Sequence, residues 1–439
     1  MGAVGVVRVS GPHAYEVADA VFRPARGPAA GLRPAGRIVY GQVWAGGDPV
    51  DEALLLTFRA PRSYTGQDVV ELQTHGGPAV LRATLDACLR AGARLAGPGE
   101  FTLRAYLAGR IDLVQAESVM DVVEAQTDAS RRNAAFGLSG ALGARLGAVQ
   151  TDVLQAYAAV QAAFDYPDEG VPDHDLAEPL ARAAADLRAL LATAEAGRLS
   201  RQGARLALLG RPNVGKSSLL NALLGYARSL VSDVPGTTRD YLEAPLTLGG
   251  LPVVAIDTAG IRTAGDHIEA SGVELARRIG EQADLRLVLL DGSEPLAQAD
   301  RELLAELSPD RTLIIVTKQD LGEAWPLEDL PAKAWAGGVL RLSSRTGRGL
   351  DGLREAVALS LIGSAAGAEV WIGNERHVAA LEGTLEAVER SALRAAEGRH
   401  DLAALDLQEA LEELGAVTGR RSVTDETLAS IFARFCVGK

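Results

Sequence analysis

One stretch limits what this chain can fold into more than any other feature. GRPNVGKS at 210–217 follows the apolar run Leu206–Leu209 and precedes SLLNALLG, so strand, loop and helix come in the order a phosphate-binding loop requires. Gly210 and Gly215 let backbone N–H groups converge on phosphate, Lys216 is suited to neutralise β and γ phosphates, and Ser217 offers a hydroxyl to Mg²⁺. Around this motif the apolar runs ARLALL, PVVAID, LRLVLL, TLIIVT and VLRLS alternate with helical or loop segments. That pattern predicts a doubly wound parallel sheet within a Ras-like P-loop domain over residues 203–362.

The 439 residues exceed one ordinary core, and typical domain sizes suggest about three folding units. From residue 1 to 105, short apolar or alternating runs (Val4–Val9, Ala53–Phe58, Val69–Gln73) accompany one helical segment, Ala79–Ala91, which predicts an α+β domain. Residues 106–202 read as helical: Leu142, Leu146, Val149, Val153, Val160 and Phe164 step by threes and fours, until FDYPDEGVPDHD breaks the pattern. The stripe returns in 363–439 with Val378, Leu381, Leu385 and Val388, then Leu407, Leu411 and Leu414. The simplest arrangement packs the two helical segments together as one discontinuous domain and inserts the loop-bearing domain between them.

Apolar residues make up 47% of the chain, and two cysteines, Cys88 and Cys436, are too few for a disulfide framework or a metal cluster by themselves. No signal-type N-terminus occurs and no run reaches the roughly 18 apolar residues of a membrane span, so a cytoplasmic protein is expected, with no membrane partner. The net charge of −13 argues against a general polyanion binder; any nucleic-acid contact must be local and basic.

Further signals follow the loop. In VPGTTRD, Thr238 can carry a switch hydroxyl that completes Mg²⁺ coordination, and in DTAG, at the end of an apolar run, Asp257 can reach the metal through water while the Gly260 N–H senses the γ phosphate. Residues 317–320 read TKQD where the usual guanine pattern is N-K-x-D. Asp320 keeps the carboxylate that accepts from the guanine ring N–H and amino group, donors adenine does not present together, and the Lys318 stem covers the base. GTP is therefore expected over ATP, with Thr317 bracing less than Asn. Ser343, Ser344 and Arg345 resemble the last guanine loop, whose backbone N–H meets the guanine carbonyl.

The nucleotide set is then Asn213, Val214, Gly215, Lys216, Ser217 and Ser218; Ser232, Asp233, Val234, Pro235, Gly236, Thr237 and Thr238; Asp257, Thr258, Ala259 and Gly260; Thr317, Lys318 and Asp320; and Ser343, Ser344 and Arg345. Where Ras-like GTPases carry a water-orienting glutamine, this chain has Ile261, which cannot hydrogen-bond. Glu269 and Arg239 stand as the catalytic candidates; alternatively Glu269 is a solvated helix-cap acid. Asn213, with backbone carbonyls of Ser232, Val234 and Thr237, can house a monovalent cation near the phosphates, which gives K⁺-dependent hydrolysis as an expectation.

These residues resemble the MnmE (TrmE) family of tRNA-modification GTPases over nearly the whole chain. The marks are ELQTHGG, PGEFTLRAYLAGRIDLVQAES, FDYPDE, GRPNVGKSSLLNALLG, PGTTRD, DTAGIR and the terminal IFARFCVGK. The resemblance implies a folate-binding N-terminal α/β domain that dimerises, a helical domain in two segments, and an inserted G domain. It further implies GTP-driven addition of a carboxymethylaminomethyl or aminomethyl group at C5 of the wobble uridine of certain tRNAs. The implied partners are a second copy, tRNA and the flavoprotein MnmG (GidA), which would carry the FAD. The implied one-carbon source is a tetrahydrofolate derivative, 5-formyl or 5,10-methylene. K⁺ at Asn213 and water positioning by Glu269 are implied as well, and folate contacts carry over to Arg8, Glu71, Arg110 and Lys439. From the residues alone Arg110 reads as a surface helix charge, and Cys436 as a small buried residue rather than a nucleophile. Relatives ordinarily carry a further strand and Gly-rich turn before the equivalent of Gly2, so a late start or a missing edge strand is expected.

Two other classes compete: a GTPase switch in ribosome assembly or signalling without modification activity, and a stand-alone folate transferase. The folate-type N-terminal segment and the CVGK tail weigh against the first. The inserted GTPase weighs against the second.

Overall fold

A computed structural model describes residues 2–29, 31, 34–165, 176–228, 243–257, 282–331, 335, 337–363, 365, 368, 370–419, 424–433 and 435. Two compact units emerge: Met1–Met120 with Leu138–Gly143 and Gly415–Lys439, and Asp121–Gly137 with Ala144–Leu414.

In the first unit a five-stranded antiparallel sheet runs in the order β1-β5-β4-β3-β2, built from β1 (Val4–Ser10), β2 (Phe22–Pro24), β3 (Ile38–Ala45), β4 (Asp48–Phe58) and β5 (Val69–His75). Alternation at period two sends Val7, Val39, Val43, Leu55, Val70 and Leu72 to one face. There they pack on Ala14, Val17, Ala18 and Val21 of α1 (Ala14–Val21) and on Ala87 and Cys88 of α2 (Pro78–Arg90). Burial pushes the Cys88 thiol up to about 11, as expected of a cysteine serving as a core residue. The opposite sheet face leaves Val4, Val6, Ile38, Tyr40 and Leu54 exposed at 64, 49, 68, 54 and 39%. Beside the sheet lie α3 (Glu100–Leu107) and the first turns of α4 (Leu113–Glu124), where Ala116 and Met120 pack against Phe432 and Phe435 at the end of the chain. The elements α1, β2 and β3 go beyond the sequence reading. A short Ala-rich helix and a strand interrupted by Gly41 give little periodic signal.

The second unit contains most of α5 (Asp128–Leu138) and α6 (Ala141–Asp165), then α7 (Ala177–Leu191), α8 (Ala194–Gln202), a six-stranded sheet and α12 (Glu375–Ala396). The sheet order is β11-β10-β9-β6-β8-β7, from β6 (Ala204–Leu209), β7 (Glu243–Leu248), β8 (Leu251–Asp257), β9 (Leu285–Asp291), β10 (Thr312–Thr317) and β11 (Val339–Arg341). Each pairing is parallel except β7 with β8, so the expected parallel sheet is corrected to a mixed one with an antiparallel edge. That edge carries Pro245, which the end of a sheet tolerates because its missing N–H is not needed there. Both faces are covered. Leu206, Leu208, Leu287 and Ile315 pack with Leu219 and Leu223 of α9 (Lys216–Arg228) and Leu353 and Val357 of α11 (Leu350–Ile362). Ala207, Leu209, Val288, Ile314 and Val316 pack with Leu304 of α10 (Gln298–Glu306). The near-continuous apolar runs follow from this two-sided burial.

The chain leading into β6 is fastened to the chain leaving α11. A Cβ on Gly197 of α8 would lie 2.4 Å from the carbonyl carbon and oxygen of Ile372 and 2.6 Å from the Gly373 nitrogen. The Ile372 N–H donates to Thr193 Oγ1 at 3.2 Å, and Asn133 exchanges two hydrogen bonds with the Trp371 backbone, at 2.9 and 3.1 Å. Glycine inside a helix costs about 1 kcal/mol relative to alanine, and here the backbone crossing accounts for it. Gly197→Ala should therefore destabilise the protein by about 1–3 kcal/mol despite its better helix propensity, read as a lower urea midpoint. An unchanged or raised midpoint would show that the crossing yields.

Candidate functional site

The phosphate loop runs from the buried end of β6 to the first residue of α9. Its shape rests on positive φ at Gly210 (139°), Asn213 (64°) and Gly215 (105°). At Gly210 a Cβ would come within 2.5 Å of the Leu289 carbonyl oxygen, so both conformation and space demand glycine. Asn is among the few side chains that tolerate the left-handed region, which suits position 213. Val214 and Leu219 anchor the turn in the core, while Asn213, Ser217 and Ser218 are exposed. Lys216 is buried, and its Nζ donates to the carbonyls of Gly210 at 2.6 Å and Arg211 at 2.8 Å. The ammonium is thus held against the loop's own backbone, where a phosphate group would meet a fixed cation. Arg211 fastens the loop sideways: its Nε donates at 2.9 Å to Asp300, which is 1% exposed and also accepts from the Ala297 N–H at 3.1 Å.

The base-side residues converge from two strand ends. Thr317, the last residue of β10, points its hydroxyl at the Val214 carbonyl (2.7 Å) and the Leu290 carbonyl (3.0 Å). One hydroxyl hydrogen serves two acceptors, so the brace is weaker than an amide with two donors but joins the phosphate loop to β9 and β10. Lys318, at φ 57°, places Nζ 2.5 Å from Oδ2 of the buried Asp291. Burial works to raise the Asp291 pKa, but donors from Lys318 and Ser293 outweigh it and hold the carboxyl below the usual range. Asp320 accepts from Ser343 Oγ at 2.6 Å and pairs with Arg345 Nε at 2.8 Å. The Ser343 hydrogen bond, helped by Arg345, keeps this carboxyl ionised.

Thr317, Lys318, Asp320, Ser343 and Arg345 therefore form one constellation with Val214, and Ser344 lies between two of its members. Sequence reasoning missed Asp291, Ser293 and the Arg211–Asp300 pair. The acid closing the run LRLVLLD was the available signal for the first. Asp257 ends β8, its side chain outside the described residues. Ser232, Asp233, Val234, Pro235, Gly236, Thr237, Thr238, Arg239, Thr258, Ala259, Gly260, Glu269, Cys436 and Lys439 also lie outside them.

A second cluster occupies the first unit. Arg8 on β1 stands opposite Glu71 on β5, with Nε donating to Oε1 at 2.8 Å. Arg110 sits in the turn between α3 and α4 rather than on a helix, and donates to the Tyr64 carbonyl at 2.7 Å. Both guanidinium groups lie over the Tyr64 ring, 5.4 Å (Arg8) and 5.3 Å (Arg110) from its centroid. Tyr64 was not singled out from the sequence.

Comparison with known proteins gives two family matches: the N-terminus of the GTP-binding protein TrmE over residues 1–110, and the MnmE helical domain over 113–436. The tRNA modification GTPase MnmE of a Thermus thermophilus strain is 48% identical over 440 residues, covering 100% of this chain and 96% of the relative. The proteins of the same name from Chloroflexus aurantiacus and Carboxydothermus hydrogenoformans are 44% and 41% identical, each covering 100% of this chain and 97% of the relative. Among solved structures, the G domain of the T. maritima FeoB iron transporter aligns with 36% of this chain and 98% of its own at 28% identity. Its TM-score of 0.27 is too low to bear on the fold.

Thr317→Val keeps the shape and removes the donor that ties the loop to the base side. It should lower stability by about 1–3 kcal/mol and weaken nucleotide binding, while Thr317→Ser retains both. Urea unfolding and titration with a fluorescent nucleotide read this; a valine variant that binds normally would show that the hydroxyl does not hold the loop.

Proposed function

The chain belongs to the MnmE family of tRNA modification GTPases, and on that premise we propose a K⁺-activated, dimerising GTP hydrolysis that drives modification of the wobble uridine at C5. The group added is carboxymethylaminomethyl or aminomethyl, made with a flavoprotein partner that carries the FAD, a one-carbon unit from a reduced folate for the methylene, and an amine, glycine for the first group or ammonia for the second, in the cytoplasm. Residues 1–105 would serve folate binding and dimerisation, 203–362 the GTPase, and 106–202 with 363–439 the helical scaffold. The observation that carries this reading is the Thr317 hydroxyl, which joins the phosphate loop at Val214 to the strand end bearing Lys318 and Asp320.

The residues present fit the groups proposed for them. The loop's N–H groups and the fixed Lys216 ammonium suit β and γ phosphates, and the exposed Ser217 hydroxyl, with Thr238, suits Mg²⁺. Bound there, Mg²⁺ would neutralise charge developing on the phosphates. Asp320, ionised and oriented by Ser343, accepts from guanine N1–H and its amino group. Asn213 presents an exposed amide where K⁺ would supply a further positive charge. Glu269 then orients water, and Arg239 adds a cation from the same switch segment as Thr238. Arg8, Glu71 and Arg110, with Lys439, suit a reduced folate: Glu71, held by Arg8, for pterin N–H groups, and the cations Arg110 and Lys439 for carboxylates.

Dimerisation gains support from the exposed apolar face of Val4, Val6, Ile38, Tyr40 and Leu54, which a second copy would cover. Charge is also unevenly distributed. The first unit holds 16 Lys and Arg against 13 Asp and Glu, net +3, and the second holds 28 against 44, net −16, which together make −13. The first unit is thus the better surface for tRNA phosphate. Among the described residues no helix is long and apolar enough to cross a membrane.

Reconstitution tests the reading: this chain, the flavoprotein, tRNA, reduced folate, glycine or ammonium, GTP and K⁺ should yield modified uridine, and omission of folate or GTP should abolish it. Product formed without either would reject the proposal, and equal GTP turnover in Na⁺ and K⁺ would remove the cation from it. Asp320→Asn replaces an acceptor by a donor, so GTP binding should weaken about 10- to 100-fold and xanthosine triphosphate should bind better. Unchanged GTP affinity would take Asp320 out of base recognition.

A further inference from the structure

The three described residues assigned to folate come from distant parts of the chain, yet one aromatic ring touches two of them. Tyr64 belongs to the loop PRSYTGQD between β4 and β5, and that loop is tied down on several sides. Ser63 Oγ donates to the Gln67 carbonyl at 2.5 Å, Thr65 Oγ1 meets Ser10 Oγ at 2.7 Å, and Arg104 donates to Gln67 Oε1 at 2.9 Å. The Tyr64 hydroxyl is 2.9 Å from Oγ1 of the fully buried Thr102. The ring is therefore fixed at its tip and at its backbone, with Arg8 and Arg110 over it at 5.4 and 5.3 Å.

Two guanidinium groups sharing one ring repel each other, and the attraction of the ring's π face offsets part of that cost. Glu71 neutralises Arg8; among the described residues Arg110 has no acidic partner and is exposed. The cluster thus keeps an uncompensated positive charge, with its two cations spaced by Tyr64.

We propose that Tyr64 is a positioning residue for the folate site: its ring sets the separation of Arg8, which stays on Glu71, from Arg110, which meets a carboxylate of a reduced folate. This rests on the folate reading above. The ring does the work, and the Thr102 contact only steadies it.

Calorimetric titration of the full-length protein with 5-formyltetrahydrofolate tests this across Tyr64→Leu, Tyr64→Ala and Tyr64→Phe. Tyr64→Leu keeps bulk and loses the π face; it and Tyr64→Ala should bind about 10-fold more weakly, while Tyr64→Phe should stay within about 2-fold of wild type. GTP turnover and the far-UV circular dichroism spectrum of Tyr64→Leu should match wild type, separating positioning from a general loss of structure. Wild-type affinity in Tyr64→Leu would overturn the proposal, as would a loss in Tyr64→Phe equal to that in Tyr64→Leu. Wild-type protein that does not bind the folate would overturn the folate reading itself, and the role of Tyr64 with it.

Discussion

The backbone at Gly210 is the constraint from which the nucleotide site follows. Its φ of 139° and the Leu289 carbonyl 2.5 Å from any Cβ leave no residue but glycine, and only with glycine there does the chain turn sharply out of β6. That turn puts the carbonyls of Gly210 and Arg211 where Lys216 can hold both. A buried ammonium is costly unless it is paired or hydrogen-bonded, and these two carbonyls supply part of what water would. The cation is therefore in position before any phosphate arrives, so binding need not include ordering a long side chain.

The base side depends on the same loop through one hydroxyl. Thr317 ends a strand buried along its whole length, and its short side chain reaches Val214 only because β10 lies beside β9 in parallel register, Thr317 opposite Asp291. The same register sets Asp291 within reach of Lys318, whose ammonium holds it ionised. The phosphate loop and the strand end bearing Lys318 and Asp320 are thus two ends of one hydrogen-bonded assembly. A departure from the usual asparagine is accommodated by sharing one proton between two carbonyls.

Much of this was legible in the sequence where chemistry is local. GRPNVGKS carries its own conformational requirements, and the loop at 210–217 lies between β6 and α9 with positive φ at Gly210, Asn213 and Gly215, as the order of strand, loop and helix in the sequence implies. What escaped notice depends on partners far along the chain. Arg211 needs Asp300, 89 positions away, and the pairing of Arg8 with Glu71, 63 away, shows only once β1 lies beside β5, although both residues were named from the sequence. Tyr64 is one tyrosine in a polar loop until Arg8 and Arg110 are brought over it. The edge strand β7 was hidden by Pro245, which in a sequence argues against a strand and in an edge is harmless. The overall acidity likewise concealed a split, since the net negative charge resides in the unit that carries the GTPase.

Family membership makes the chain a GTP hydrolase acting in tRNA modification, and the central claim is that the loop at 210–217 is the motor for that chemistry. Nucleoside mass spectrometry of tRNA tests it most directly, in cells whose only copy carries Lys216→Ala at normal protein levels. Loss of the C5-modified wobble uridine, with its precursor accumulating, is the predicted result. Modification at the wild-type level would contradict the account.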